Sequence, residues 1–211
     1  MTEASRSHLE ALANAVTSRK ANRTVIAIAG APGSGKSTFA ERLEAFLNTA
    51  NSGSAAVLPM DGYHFDDGVL IARGLRARKG APETFDVGGL LHTLGRLKRN
   101  EEDEIAVPVF DRGLEISRAG ARLIPQSVRY LIVEGNYLLL GSAPWTALHP
   151  LYDVTVAVVV PEDVLRQRLT ERWRGYGLPP EVVTAKVETN DLPNGRFVME
   201  RSLPAEFVVS E

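Results

Sequence analysis

The sequence predicts an α/β fold in which a mostly parallel five-stranded sheet carries helices on both faces. Three observations predict it. Apolar, β-branched runs at 24–30, 55–60, 128–135, 152–160 and 205–210 alternate with helical patterns, and such alternation makes parallel sheets through crossover helices. The runs are apolar at successive positions rather than at every second one, as in strands covered on both faces. The composition, 44% apolar and 24% charged over 211 residues, is that of a globular chain large enough to bury a core without staples.

Taken in order, residues 8–19 place Leu9, Leu12, Ala13 and Val16 on one helical face. The run 24–30 is a strand ending in Gly30, and 37–50 is a helix with Phe39, Leu43, Phe46 and Leu47 at helical spacing. A second strand, 55–60, stops at Asp61. Residues 61–86 form a long loop rich in Gly, Asp and Arg, and long loops in compact domains are usually functional. A helix at 87–100 carries its basic residues at the end favoured by the macrodipole. The acidic run 101–104 is a solvated turn, and 105–127 reads as a small inserted hairpin. Strands follow at 128–135 and 152–160. The helix 161–175 starts with Pro and acids and stops at Gly, and 179–190 is a helix entered through Pro. Residues 190–196, NDLPNGR, read as turn-rich, and 205–210 as a last strand. One domain over 1–211 is expected, with a core from about 22 onward, an insertion at about 105–127 and a lid at about 161–178.

Charge and composition exclude several classes. Lys and Arg number 24 against 26 Asp and Glu, without the basic excess of a nucleic-acid binder. The absence of cysteine removes thiol catalysis, Cys-ligated zinc and disulfides. No stretch reaches a membrane span, and residues 1–20 hold no apolar leader core. The expectation is a cytoplasmic protein with no nucleic-acid partner and no membrane insertion. Oligomeric state is not legible; a homodimer is the one assembly entertained.

Residues 30–37, GAPGSGKS, match the G-x-x-x-x-G-K-S/T phosphate loop. Ordinary residue frequencies give such a match by chance in roughly 1% of chains this long. Here it also follows a buried strand and opens a helix. Glycines let backbone N–H groups converge on phosphate oxygens, and the helix start aims its dipole at the same anion. Gly30, Ala31, Pro32, Gly33, Ser34, Gly35, Lys36, Ser37 and Thr38 are therefore the candidate nucleotide-binding residues. Lys36 is expected to reach the β- and γ-phosphates, and Ser37 to offer its hydroxyl to Mg²⁺. The fold class becomes a P-loop NTPase three-layer sandwich with a helical lid and a small insertion.

Two acids end apolar strands. In open α/β sheets ligands bind beyond the carboxyl ends of the strands, so Asp61 shares a rim with the phosphate loop. From there a carboxylate takes the proton of a substrate hydroxyl. Glu134 ends YLIVE, where an acid holds Mg²⁺ or its water; the usual residue is Asp, so Glu is a departure.

GAPGSGKST, MDGYHFDD, RKGAPETFDV, PVFDR, YLIVEGNYLLL and NDLPNGR occur in this order. Together they resemble the P-loop kinase family of uridine kinase, phosphoribulokinase and bacterial pantothenate kinase, over roughly residues 22–200. MDGYHFDD, NDLPNGR and the compact size are most similar to bacterial members named, by genomic inference, fructose transport system kinases. The resemblance implies ATP and Mg²⁺ as cofactors, Asp61 as catalytic base and Glu134 as the acid beside the metal. It also implies that Tyr63, His64, Phe110, Asp111 and Arg112 line the acceptor pocket. An arginine-bearing lid is implied as well, and Arg168 and Arg172, four apart on one face of the 161–175 helix, are its candidates for the phosphates. Lys79, in the basic cluster with Arg73, Arg76 and Arg78, is a candidate substrate-binding residue.

The function read from this is transfer of the γ-phosphoryl group of ATP to a hydroxyl of a small-molecule alcohol. Carboxylates at 61, 66, 67 and 111 favour an uncharged, polyhydroxylated acceptor such as a sugar over a carboxylate acceptor such as pantothenate; a sugar stands first, a nucleoside second and pantothenate third, and fructose is what the resemblance implies. A nucleotide-dependent regulator without an acceptor is the reading from another class. ATP and GTP are not distinguished, although no N-K-x-D motif marks a Ras-like GTPase.

Overall fold

A computed structural model describes residues 3–210 of the chain. In chain order its principal elements are α1 (Glu3–Thr17), β1 (Thr24–Gly30), α2 (Lys36–Ala50), β2 (Ala55–Pro59), α3 (Asp67–Ala72), α4 (Val87–Arg99), β3 (Glu104–Asp111), β4 (Ile116–Pro125), β5 (Tyr130–Gly135), β6 (Val154–Val159), α5 (Glu162–Gly175), α6 (Pro180–Lys186), α7 (Leu192–Arg201) and β7 (Phe207–Ser210). Short 3₁₀ turns punctuate the loops after β2 and β5, and a single π turn, Val187–Asp191, joins α6 to α7.

The main sheet runs β2-β5-β1-β6-β7. Every pairing in it is parallel, so the sheet is wholly rather than mostly parallel. The 105–127 insertion is a separate antiparallel hairpin of β3 and β4, with a register shift between Val107 and Val109. Such a sheet needs cover on both faces, and β1 supplies the apolar side chains for it. Successive residues of a strand point to opposite faces. Val25, Ala27 and Ala29 therefore join Leu58, Leu131, Val133 and the α4 leucines Leu90, Leu94 and Leu97 on one side. Ile26 and Ile28 join Leu12, Phe39, Leu43 and Val156 under α1 and α2 on the other. A third, smaller cluster packs α5, α6 and α7 around Ala31 in the phosphate loop.

Local chemistry sets the helix ends. The Asp86 side chain accepts from the Gly89 amide at 2.9 Å and so caps α4. Asn100, with φ 55°, closes the same helix. The first helix spans Glu3–Thr17 instead of 8–19. It stops where the Thr17 and Ser18 hydroxyls bond the Ala13 and Ala15 carbonyls, at 2.8 and 2.9 Å. The larger difference lies at 190–196. That segment is not a turn: it holds the end of the π turn and the first turns of α7. Pro193, which brings no amide of its own, follows directly on the π turn, where the Leu192 amide reaches back five residues to the Val187 carbonyl. Among the described residues no helix is long and apolar enough to cross a membrane.

Leu43 is fully buried between α2 and the sheet. Leu43→Ala is expected to lower unfolding free energy by about 2–5 kcal/mol, read as a lower urea midpoint at unchanged slope.

Candidate active site

The site begins where β1 stops. The chain leaves the sheet at Gly30, turns through Gly33 (φ 82°) and Gly35 (φ 88°), and enters α2 at Lys36. Positive φ costs a glycine nothing and a Cβ-bearing residue a good deal, which explains the residue type at both positions. No side chain caps α2, so its first amides and those of the loop form an anion nest. Ala31, Gly33 and Ser34 are buried in the loop, Pro32 is partly covered, and Ser37 and Thr38 open onto the rim. The Ser34 hydroxyl is buried without a hydrogen-bond partner.

Register brings the acids to this nest. Glu134 of β5 lies opposite Ile28 of β1 and Pro59 of β2, so Asp61, two residues past Pro59, stands on the same rim. The Ser37 hydroxyl donates to Glu134 Oε2 at 3.1 Å. Lys36 is only half-covered along its length, but its ammonium is enclosed by protein, and the enclosed end is what titrates. Burial lowers its pKa, against the raising influence of the Glu134 and Asp61 charges. Burial likewise raises the pKa of Glu134, with Lys36 opposing. One cation and two acids thus share a poorly solvated space that an added triphosphate and cation would rebalance.

The rim around Asp61 is built from the loop after β2 and the tip of the β3–β4 hairpin. Arg112 donates through Nη2 to Asp61 Oδ2 at 2.7 Å. His64 stacks between Phe85 (centroids 4.0 Å apart) and Phe110 (4.8 Å), its Nδ1 2.9 Å from the Asp61 carbonyl oxygen. Lys79 donates to Asp67 Oδ1 at 2.7 Å and to the Glu115 carbonyl at 2.6 Å, and its ammonium lies 5.4 Å over the Phe110 ring. His64, Lys79, Phe110 and Arg112 therefore gather beside Asp61.

Two of the expected pocket residues do not. Tyr63 is 6% exposed within the core cluster that includes α4, where the charges acting on its hydroxyl are Asp86 and Arg96; its position in the 3₁₀ turn Met60–Tyr63 rotates it away from Asp61. Asp111 accepts the Gly113 and Leu114 amides at 3.0 and 3.1 Å and pairs with Arg118 at 3.2 Å. It shapes the hairpin tip, as Asp does in turns through its own backbone.

On the other side of the nest, Arg168 of α5 approaches the Gly33 and Ser34 carbonyls at 3.4 and 3.3 Å. Arg172, one turn on, acts electrostatically on Lys36. Arg166 faces elsewhere: it pairs with Glu162 and Glu188 at 3.1 and 2.8 Å.

Residue-level reading of the sequence missed several contributors. Tyr137 ties the loop after β2 to β5 by donating to the Gly80 carbonyl at 2.6 Å. Asn190 bonds the Lys79 carbonyl at 3.4 Å, and Asn194 bonds Asn190 at 3.3 Å. Tyr137 lies in YLIVEGNYLLL and both asparagines in NDLPNGR, and those motifs are the signal the sequence holds for them. A cavity of about 660 Å³, lined by Phe65, Arg73, Phe85, Trp145, Asn190 and Phe197 among others, opens beside this cluster, but Lys36, Asp61 and Glu134 do not line it.

A phosphate loop after the central parallel strand, with acids on the flanking strand ends, defines a P-loop nucleotide-binding protein. The family model of the phosphoribulokinase / uridine kinase family matches residues 25–192, and the chain belongs to that family of P-loop kinases. It is 34% identical over 203 residues to an uncharacterised protein of Escherichia coli, covering 95% of this chain and 83% of that one. It is 33% identical over 197 residues to a provisionally named uridine kinase of Schizosaccharomyces pombe, covering 90% and 83%. Among solved structures, a provisionally named fructose transport system kinase from Silicibacter sp. TM1040 superposes with TM-score 0.88 at 40% identity, over 95% of this chain and 98% of that one.

Two outcomes follow. Burial holds the His64 pKa below 6.5, with Lys79 and Arg112 adding to it and Asp61 opposing. The folded protein thus keeps a neutral imidazole while the unfolded chain takes up a proton first. Between 6.5 and the lower folded value, each step down in pH then favours unfolding, and an NMR titration should give a His64 midpoint below 6.5. Because Arg166 is engaged by partly exposed Glu162 and exposed Glu188, Arg166→Gln should change nucleotide turnover by less than about twofold, in line with the small worth of surface pairs.

Proposed function

We propose that this chain transfers the γ-phosphoryl group of ATP, with Mg²⁺, to a hydroxyl of a small, uncharged, sugar-like alcohol. Fructose is the first candidate, taken from the name of the Silicibacter structure. The observation that carries the reading is Asp61: a carboxylate on the phosphate-loop rim, close enough to act electrostatically on Lys36 and tethered by a flexible arginine that can release it.

In this reading the loop amides and Lys36 hold the β- and γ-phosphates, and Asp61 accepts the acceptor's hydroxyl proton as its oxygen attacks the γ-phosphorus. The donor set suits Mg²⁺, which takes one or two protein oxygens beside phosphate and water. Ser37 and Glu134 offer those oxygens at 3.1 Å from each other, and no cage of three or more His, Cys, Asp or Glu side chains gathers among the described residues. When bound, the ion neutralises charge on the β- and γ-phosphates. Arg168 and Arg172, on a lid of about 161–178, add positive charge over the same oxygens and exclude water. An uncharged acceptor is favoured because the charges around Asp61 are already matched: Asp61 with Arg112, and Asp67 with Lys79 and Arg76. A cytoplasmic site of action fits an ATP-dependent step.

The test is a coupled ADP-release screen of fructose and other sugars, uridine-like nucleosides and pantothenate, with and without Mg²⁺. Turnover with one sugar that vanishes on Mg²⁺ removal is expected, and Asp61→Asn should keep ATP affinity within about threefold while cutting transfer by at least ~10². Absence of turnover with every acceptor, or an unaffected Asp61→Asn variant, rejects the reading in favour of a nucleotide-binding regulator.

A further inference from the structure

Asn136 is the first residue beyond β5, directly after Glu134 and Gly135. β5 lies between β1 and β2 in the sheet, so the chain leaving its carboxyl end passes between the phosphate loop and Asp61. Register makes this specific. Gly135 is paired with Ala29 of β1, and Glu134 with Pro59 of β2. One residue on, Asn136 comes level with Gly30, where the phosphate loop begins. It stands two residues past Glu134, as Asp61 stands two past Pro59. Neighbouring strands run about 4.8 Å apart, so its backbone emerges about one strand spacing from the start of the loop, with Asp61 on its other flank. β2 and β5 stay in contact beyond their last ladder pair, since a Cβ on Gly135 would collide with the Met60 side chain.

Both chain neighbours of Asn136 are engaged, one on each side of the site. Glu134 accepts the Ser37 hydroxyl at 3.1 Å. Tyr137 donates to the Gly80 carbonyl at 2.6 Å, and its ring lies 5.7 Å from that of Phe85, which stacks on His64. The Asn136 side chain has no such engagement. Its Oδ1 is buried without a hydrogen-bond partner in the protein, and among the described residues nothing bonds either end of the amide. Burying a carbonyl oxygen away from any donor costs free energy, and buried polar groups are nearly always paired. A leucine would fill the same place without that cost. The donor that Oδ1 lacks is therefore to be sought in what the site binds. Phosphate oxygens only accept, and metal-bound water only donates. A hydroxyl does both. Two neighbouring hydroxyls answer both ends of a carboxamide, one donating to Oδ1 and the other accepting from Nδ2.

We propose that Asn136 is a specificity-determining residue: its side-chain amide receives two adjacent hydroxyls of the acceptor, Oδ1 accepting from one and Nδ2 donating to the other, and so selects a vicinal diol. This rests on the reading of the chain as a kinase of a sugar-like alcohol, and it narrows that substrate class to polyols. An alcohol with one isolated hydroxyl leaves the buried carbonyl unanswered. Placed between the phosphate loop and Asp61, the amide also sets which hydroxyl of the polyol meets the carboxylate.

The full chain is assayed for transfer to fructose, or to the sugar that replaces it in the screen, and to singly deoxygenated analogues of that sugar. Asn136→Leu should raise the acceptor KM by about tenfold, the upper worth of one neutral hydrogen bond. Mg·ATP affinity and the Mg²⁺ midpoint should stay within about twofold of wild type. The urea midpoint should hold or rise, because the substitution removes a buried amide that has no protein partner. On one analogue that keeps the reactive hydroxyl, wild type should lose about tenfold in kcat/KM. Asn136→Leu should lose less than about twofold on the same analogue, as coupling through a shared contact requires. Asn136→Ala carries the kinetic test if leucine is not accommodated. Wild-type transfer with an unchanged acceptor KM in both variants overturns the role of Asn136 and leaves the kinase reading standing. A loss confined to Mg·ATP affinity or to the Mg²⁺ midpoint does the same, since it places the amide at the nucleotide. Absence of wild-type transfer to every acceptor removes the kinase reading, and the role of Asn136 with it.

Discussion

The structure depends on β1 being sealed on both faces. A strand buried at every position must lie inside a parallel sheet with helices above and below, and its parallel neighbours must end on the same rim. Once β5 and β2 are in register with it, Glu134 and Asp61 have no other place to be than beside the loop that leaves β1. The anion nest and the strand-end acids are thus positioned by backbone pairing, and the side chains need only short reaches. The covering layers are apolar on both sides, which makes this geometry stiff.

Charge is the second organising theme. Nearly every ion at the rim is matched from a different element: Asp61 from the hairpin tip, Asp67 from the loop ahead of α4, Glu134 and Lys36 by each other. Such matching keeps a half-enclosed site tolerable in the free protein, because each charge removed from water is costly alone. It also leaves each pair exchangeable.

The segment 187–196 shows how one stretch of chain serves three neighbours. Asn190 touches the loop after β2, Asp191 the end of α5, and Gly195 the phosphate loop. The sequence signals there pull in different directions. Asn, Asp, Pro and Gly within seven residues read as a turn by local propensity, yet packing against Ala31 and Leu165 makes the segment helical. Tertiary contacts override weak local preference: the segment packs against the phosphate loop and α5, which holds it helical.

By itself the sequence determined the parallel sheet, the phosphate loop, the inserted hairpin and the strand-end acids. Each is a contiguous pattern whose meaning is local: a run of β-branched residues, a glycine spacing, an acid after a strand. The direction in which Tyr63 and Asp111 face was decided only in three dimensions, because one residue of rotation in a 3₁₀ turn or a hairpin tip redirects a side chain. So were the Arg112–Asp61 pair, 51 residues apart, and the Trp173–Asp191 bond across two helices. Contacts of that kind depend on how whole elements pack, and no short-range pattern of residue types encodes the packing.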